Sequence, residues 1–343
     1  MKYTKLITIS GQLDTLSENM GKRYIYESLR KACKKLKIEY FEFDAYKVTY
    51  EKNETMYEIK DSEDNICQLP INECPTTIIY NRYVKDQKTA QDLIVSLEAD
   101  KCLIINPFSA IHISMDKFLL AETLTEAEIP QPKYQLLSDE DIDEDDVKKK
   151  VFNEKLDQIY PGNKSEDVEY VVKVLDGYDS KGVFLCTRKN ILSIMQALFK
   201  INEDVNRKLP NKSKKTPLRK YIIQEKLDSN TGDIKVHCIT VGDRQKIIFA
   251  SQADKNKNDF RSNVSENSST LIEKELSDEQ KELVYKTAKA SGLIWSTVDL
   301  METKEGSKVI EFNATPGDMY WISKAMNDQN IFEIVLNFIN GED

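Results

Sequence analysis

The stretch Lys308-Val-Ile-Glu-Phe-Asn-Ala-Thr-Pro-Gly-Asp318 alternates like a β-strand and stops at Pro-Gly. Side chains on a strand alternate between its faces, which puts Val309, Glu311 and Asn313 on one face and Ile310 and Phe312 on the other. A turn centred near Glu305 pairs the preceding segment with this one so that Asp299 meets Glu311, while Val298, Leu300, Ile310 and Phe312 share the buried face. Directly opposed residues sit roughly 5 Å apart, where like charges are destabilising. A divalent cation removes that penalty. Two carboxylates and the amide oxygen of Asn313 suit Mg²⁺, which keeps waters and shares phosphate oxygens with a nucleotide. The plainer reading of this stretch alone is an exposed hairpin with incidental acids.

Two lysines could supply the matching cations. Lys173 interrupts the apolar run Tyr170-Val-Val-Lys-Val-Leu175, which is costly unless the ammonium reaches an anion or water. Gly177 and Gly182 then bracket a loop whose backbone amides could approach phosphates. It is not a Walker A loop, because Val183 follows Gly182. A hairpin turn here, and a surface role for Lys117, are the plainer alternatives.

The whole chain limits the choices. Its 343 residues exceed one simple core and suggest two or three lobes. A composition of 40% hydrophobic and 31% charged residues is that of a globular protein, and a net charge of -9 argues against a nucleic-acid partner. No apolar run approaches the ~20 residues of a membrane span, and the start lacks a signal-peptide core, so a cytoplasmic protein with no membrane partner is expected. Six cysteines without a C-x-x-C pair, and only His112 and His237, point to buried free thiols rather than a zinc site.

The elements that must position these groups read as α/β. Lys5–Ser10 and Ile38–Asp44 are strands flanking a helix through Ile25, Leu29, Ala32, Cys33 and Leu36, with Ser17 as its cap. A hairpin near Asn53, a strand over 76–84, a helix over 86–100 and a strand over 102–106 follow. Ser114 is the expected cap of the helix that Pro130 ends. The acidic run 138–146 reads as solvated surface, and 202–220 as a polar, basic, mobile insertion. Strands Tyr221–Leu227 and Lys235–Val241 precede a helix opened by the capping box Ser277-x-x-Gln280 and closed by Gly292.

Taken in order, these pieces resemble the ATP-grasp ligases. The order is a lysine on the helix before Ile-Pro, a lysine in a strand before a glycine loop, Gln-Glu at a strand end, Asp, Arg-Ser-Asn, Asp, and Glu-x-Asn-x-x-Pro-Gly. Asp259-Phe-Arg-Ser-Asn263 and Glu311-Phe-Asn-Ala-Thr-Pro-Gly317 are similar to the glutamate-ligase (RimK-like) branch. Ser251-Gln252 ahead of Asp-Phe-Arg, and Trp321-Ile322 after the acidic strand, look more like the maturases that cyclise ribosomal peptides.

The resemblance implies an α/β ATP-grasp fold with an N-terminal α/β lobe over 1–112, a lid over 113–222 and a C-terminal lobe over 223–343. It implies ATP with two Mg²⁺, Mn²⁺ being an alternative ion. Lys117 and Lys173 would contact phosphates, with Gly177, Lys181 and Gly182 closing over them. Gln224, Glu225, Lys226 and Leu227 would form the adenine and ribose hinge, supported by Asp233. Asp299, Glu311 and Asn313 would hold the metal, and Arg261, Asn263 and Lys235 would face the activated carboxylate. The implied reaction passes through an acyl phosphate that an amine or hydroxyl then attacks. Its substrate would be a peptide or amino acid, including a precursor peptide, and its assembly a homodimer. The alternatives are an amino-acid (glutamate) ligase and a non-catalytic nucleotide binder. Two departures stand out. The branch's Asp-Ile-Arg is here Asp233-Ile-Lys235, and a family arginine gives way to Ser251 or Gln252. Lysine keeps the charge but loses the bidentate fork, which bears on substrate orientation more than on ATP.

Overall fold

The structure is a computed structural model that describes residues 2–11, 20–62, 65–82, 84, 87–138, 146–175, 182–208, 220–229, 231–253, 271–314 and 319–342. Its first lobe alternates strand and helix: β1 (Lys5–Ser10), α1 (Met20–Leu36) and β2 (Glu39–Asp44) open the chain. The hairpin strands β3 (Thr49–Lys52), β4 (Met56–Lys60) and β5 (Ile66–Pro70) follow, then β6 (Thr77–Arg82), α2 (Lys88–Ala99) and β7 (Leu103–Ile105). The parallel sheet runs β2-β1-β6-β7. Every residue of β1 is buried, as a central strand covered on both faces requires. Leu6, Ile78 and Tyr80 pack under Ile25, Leu29 and Cys33 of α1, and Ile7, Ile9 and Ile79 under Leu93, Ile94 and Leu97 of α2. At the expected hairpin, the Asn53 carboxamide oxygen accepts from the Thr55 and Met56 amides at 2.9 Å.

Two helices lead out of this lobe, α3 (Phe108–Met115) and α4 (Lys117–Glu126). The cap of α4 is Asp116, whose carboxylate accepts from the Phe118 and Leu119 amides. The expected cap Ser114 instead ends α3 and donates to the Ile111 carbonyl at 2.8 Å. Both residue types cap helices, but only Asp116 immediately precedes the new helix. Ala110, Leu120, Leu124 and Ile129 pack into the core of the third sheet, so α4 is packed against that sheet.

The second sheet is antiparallel, ordered β10-β9-β11-β8. Its elements are β8 (Tyr134–Leu137), α5 (Asp146–Ile159), β9 (Glu169–Val174), β10 (Val183–Thr187), α6 (Ile191–Lys208) and β11 (Tyr221–Glu225). Tyr170, Val172, Val174, Tyr221 and Ile223 pack against Phe152 and Leu156 of α5 and Ile191 and Met195 of α6. Lys173 pairs with Ile222 and Val171 with Gln224 on the other face. Lys173 therefore does not break the α5–α6 core face; the strand alternates, and the lysine belongs to its opposite, partly buried side. Residues 202–208, expected in an irregular insertion, continue α6. Residues 209–219 and 139–145 lie outside the described residues.

The third sheet is ordered β14-β13-β12-β15-β16. It comprises β12 (Ile234–Val241), β13 (Arg244–Ala253), β14 (Leu271–Glu273), β15 (Trp295–Thr303) and β16 (Gly306–Asn313), with α7 (Asp278–Ser291) between β14 and β15. The capping box at Ser277 and Gln280 is formed, and Gly292 ends α7 in the left-handed conformation at φ 68°. Val236, Val298, Leu300 and Phe312 pack against Leu283, Val284 and Ala288 of α7. The opposite face is apolar at one end, where Ile239, Phe249 and Trp295 meet α8 (Met319–Ala325) and α9 (Ile331–Ile339). Asn106 joins this sheet to the first lobe. Its amide donates to the Trp295 and Ala314 carbonyls at 2.7 Å and accepts from the Trp295 N–H at 2.9 Å.

All six cysteines are free and buried. Burial pushes the Cys33 thiol up to about 12. No described helix is long and apolar enough to cross a membrane.

Candidate nucleotide and metal site

The acidic pair is where the sequence places it, by a route the sequence does not show. From the turn upward, Thr303 pairs with Gly306 and Leu300 with Val309. The register then shifts by one, so that Asp299 pairs with Glu311, Val298 with Phe312 and Thr297 with Asn313. Ile310 is the extra residue of a bulge, a device that re-aims the side chains beyond it. The expected faces change accordingly. Val309 lies in the core with Phe312, Val298 and Leu300, and Ile310 is only partly buried.

Lys235 pairs with Asp299 from the other side, so Lys235, Asp299 and Glu311 form one row across three strands. The Lys235 ammonium lies 3.7 Å from the Asp299 carboxylate, and the Asn313 amide donates to Glu311 at 3.2 Å.

The second sheet and α4 supply the opposing charge. Lys117 begins α4, and its N–H donates to the carbonyl of Leu175, just past β9, at 3.2 Å. Burial lowers the Lys173 pKa and Lys117 lowers it further, while Glu311, Asp233 and Asp299 pull it back up. For Glu311, burial pushes up, yet Lys117, Lys173, the Asn313 amide and Lys235 hold the carboxyl below its ordinary value. Lys117, Lys173, Lys235, Asp233, Asp299 and Glu311 thus share one electrostatic site between the second and third sheets. Asp233, expected beside adenine, also acts electrostatically on Lys173 and raises its pKa.

Among the described residues there is no group of three or more His, Cys, Asp or Glu side chains able to hold a metal. The donor set is two carboxylates and an amide. That fits Mg²⁺, a hard ion that completes its shell with water and phosphate oxygens rather than a protein cage. The lysines facing those carboxylates suit a polyanionic ligand.

The residues expected to form the nucleotide hinge differ in their surroundings. Gln224 is buried beside Val171, on the face of the second sheet that also carries Lys173. Glu225, expected to hold adenine or ribose, has its carboxylate committed elsewhere: Oε1 accepts from the Lys308 ammonium at 2.7 Å and from the Lys133 N–H at 3.1 Å. The Lys226 ammonium is paired with Glu169, and its N–H donates to the Tyr160 hydroxyl at 2.9 Å. The side chains of Glu225 and Lys226 are therefore engaged within the protein. Leu227 is partly buried just past β11. Gly182 closes the β9–β10 hairpin at φ 80°, its carbonyl accepting from Val174 at 2.9 Å. Gly177, Lys181, Arg261 and Asn263 lie outside the described residues. Lys308 was not foreseen, although it lies in the strand that carries Glu311, because its partner Glu225 is 83 residues away.

Residues 114–335 match the sequence model of the RimK-like ATP-grasp domain. The chain belongs to the RimK-like ATP-grasp family. It is 29% identical over 148 residues to a probable alpha-L-glutamate ligase of Stutzerimonas stutzeri, which is 43% of this chain and 42% of that relative's length. Among solved structures it is similar to a Chryseobacterium gregarium RiPP-associated ATP-grasp ligase in complex with ADP and a leader and core peptide. The TM-score is 0.63 at 10% identity, over 98% of this chain and 96% of that one. It is also similar to the ATP-grasp ligase PsnB complexed with minimal precursor, Mg and ADP, with a TM-score of 0.60 at 14% identity over 100% of both chains. These likenesses establish the ATP-grasp fold.

Proposed function

We propose that this chain is an ADP-forming ligase that activates a carboxylate as an acyl phosphate and joins it to an amine or hydroxyl, acting on a ribosomal peptide. The observation that carries the reading is the pairing of Asp299 with Glu311 on a face that looks toward Lys117 and Lys173. The acids suit metal and the lysines suit phosphate, so together they match a metal–triphosphate rather than either alone. Asp299, Glu311 and Asn313 would hold Mg²⁺, which supplies charge compensation for the transferred phosphoryl group. Lys117 and Lys173 would bind the phosphates. Lys235, one strand from Asp299, would orient the carboxylate that receives the phosphoryl group. Gln224, Leu227 and the backbone of Glu225 and Lys226 would receive the nucleoside, since the side chains of those two residues are already engaged. Most of the acceleration would come from holding the reactants in line.

A peptide substrate is supported by the whole-chain likeness to ligases solved with precursor peptides. A second reading, an amino-acid ligase, is favoured by the closer sequence match to probable glutamate ligases. The experiment is incubation with ATP, Mg²⁺ and candidate acceptors, following phosphate release, hydroxylamine-trapped acyl phosphate and product mass. Loss of one water per bond in a peptide supports cyclisation, and gain of an amino-acid residue supports the second reading. Tight nucleotide binding with no turnover on any acceptor would replace both with a non-catalytic nucleotide binder.

A further inference from the structure

Glu225 and Lys308 are 83 residues apart in sequence and form an ion pair at 2.7 Å. Their side chains are only 11% and 16% exposed. Charges so far removed from water are tolerated only with good geometry and further hydrogen bonds. Those bonds are present, and they reach three parts of the chain. Glu225 ends the lid strand β11; its carboxylate also accepts from the Lys133 N–H, and its own N–H donates to the Lys133 carbonyl at 2.8 Å. Lys133 lies in the connection from α4, the helix begun by Lys117, to the lid. Midway along that connection, the Pro130 carbonyl accepts from the Val309 N–H at 2.8 Å. Val309 follows Lys308 and precedes the bulge that turns Glu311 toward Asp299. One pair therefore fixes the strand leading into the hinge, the segment behind the Lys117 helix, and the approach to the acidic pair.

We propose that the Glu225–Lys308 pair is a positioning device that couples occupancy of the nucleotide hinge to the placement of Asp299 and Glu311, an inference that rests on the nucleotide reading above. Neither side chain need touch the ligand. Nucleotide seated against residues 224–227 holds β11, β11 holds Lys308 through Glu225, and Lys308 holds the start of the bulge. Metal and nucleotide then bind with mutual support, and losing the pair separates them even when the protein stays folded. Coupling of this kind is reciprocal: whatever factor metal adds to nucleotide affinity, nucleotide adds to metal affinity.

The test compares Lys308→Met, Lys308→Arg and the double variant Glu225→Gln/Lys308→Met with the wild-type protein. Melting temperature and ATP affinity are measured by calorimetry with and without Mg²⁺. Lys308→Met strands a carboxylate and melts early. The double variant removes both charges and recovers the melting temperature. Its Mg²⁺-dependent gain in ATP affinity is nonetheless expected to fall at least roughly tenfold, the loss seen when residues behind metal ligands are removed, whereas Lys308→Arg retains most of it. A double variant with wild-type affinity and wild-type Mg²⁺ dependence would mean that the pair is merely structural and would overturn the proposal. Amide exchange in the wild-type protein is a check independent of variant folding. Mg²⁺ with ATP should slow the Glu225 and Val309 amides together, and protection of Glu225 alone also overturns it. Wild-type protein that binds no nucleotide would instead overturn the nucleotide reading, and this inference with it.

Discussion

Asp299 and Glu311 lie directly opposite one another on adjacent antiparallel strands, brought level by a bulge at Ile310. Two like charges in that position repel unless cations stand over them. Lys117, Lys173 and Lys235 lower that repulsion, and a metal ion would do so more strongly. Asp299→Asn and Glu311→Gln are each expected to weaken Mg²⁺-dependent ATP binding by at least roughly tenfold. Chelator should bring the wild-type protein down to the level of the variants and leave the variants unchanged. Variants that keep a full metal response, read by titration calorimetry, would remove these acids from the metal site.

Lys173 predicts a pH dependence. Burial, with Lys117 adding repulsion, sets its pKa below the ordinary 10.5. The neutral amine is therefore favoured earlier on the alkaline side than for an exposed lysine. Phosphates favour the ammonium, so above the lowered pKa binding must take up a proton, and ATP affinity must fall as pH rises. The fall should begin below the usual lysine range and vanish in Lys173→Arg, whose guanidinium stays charged. Calorimetry in buffers of different protonation heats reads the proton directly. Affinity with no proton uptake on that limb would place the Lys173 ammonium away from the phosphates.

How much of this was legible in the chain depends on distance along it. The pairing of Asp299 with Glu311 follows from a turn set at Glu305 with strict alternation, both local, although the chain reaches it through a tighter turn and one extra residue. The bulge was not legible, because a single extra residue leaves no mark on an alternating pattern, and so Val309 and Ile310 exchange their expected places. Resemblance to the family nominates Gln224 to Leu227 as a nucleotide hinge, but the fate of the Glu225 carboxylate depends on Lys308, 83 residues away. No local rule reaches that far. The cap of α4 was missed for the opposite reason, because Ser114 and Asp116 offer two competent caps within three residues.

Gly182 and Gly162 make a matched pair of tests. Both have a left-handed backbone, at φ 80° and 79°. An L-residue there costs about 1–2 kcal/mol. A Cβ on Gly162 meets nothing within 4 Å, whereas one on Gly182 would stand 2.6 Å from Val174 Cγ2 and 3.1 Å from Val174 Cβ. Gly162→Ala should thus lose only the conformational part. Gly182→Ala should lose more and loosen the β9–β10 hairpin. Chemical denaturation gives the totals, and equal losses at the two sites would mean that the hairpin yields freely.

Asn106→Ala tests the joint between the first lobe and the third sheet. It deletes three buried hydrogen bonds to Trp295 and Ala314. Each stranded backbone group costs about 1–3 kcal/mol, so a total near 3 kcal/mol or more is expected. Because Ala314 directly follows Asn313, metal response should weaken as well. A change below about 1 kcal/mol in urea unfolding would show that water replaces the amide.

The six sealed thiols leave the native surface chemically silent toward maleimides. A cysteine introduced at exposed Lys164, beyond α5, and another at exposed Lys281 on α7 would be the reactive positions for a pair of dyes. Distance between those dyes could then be followed in real time as ligand is added, without first stripping a single natural sulfur from the chain.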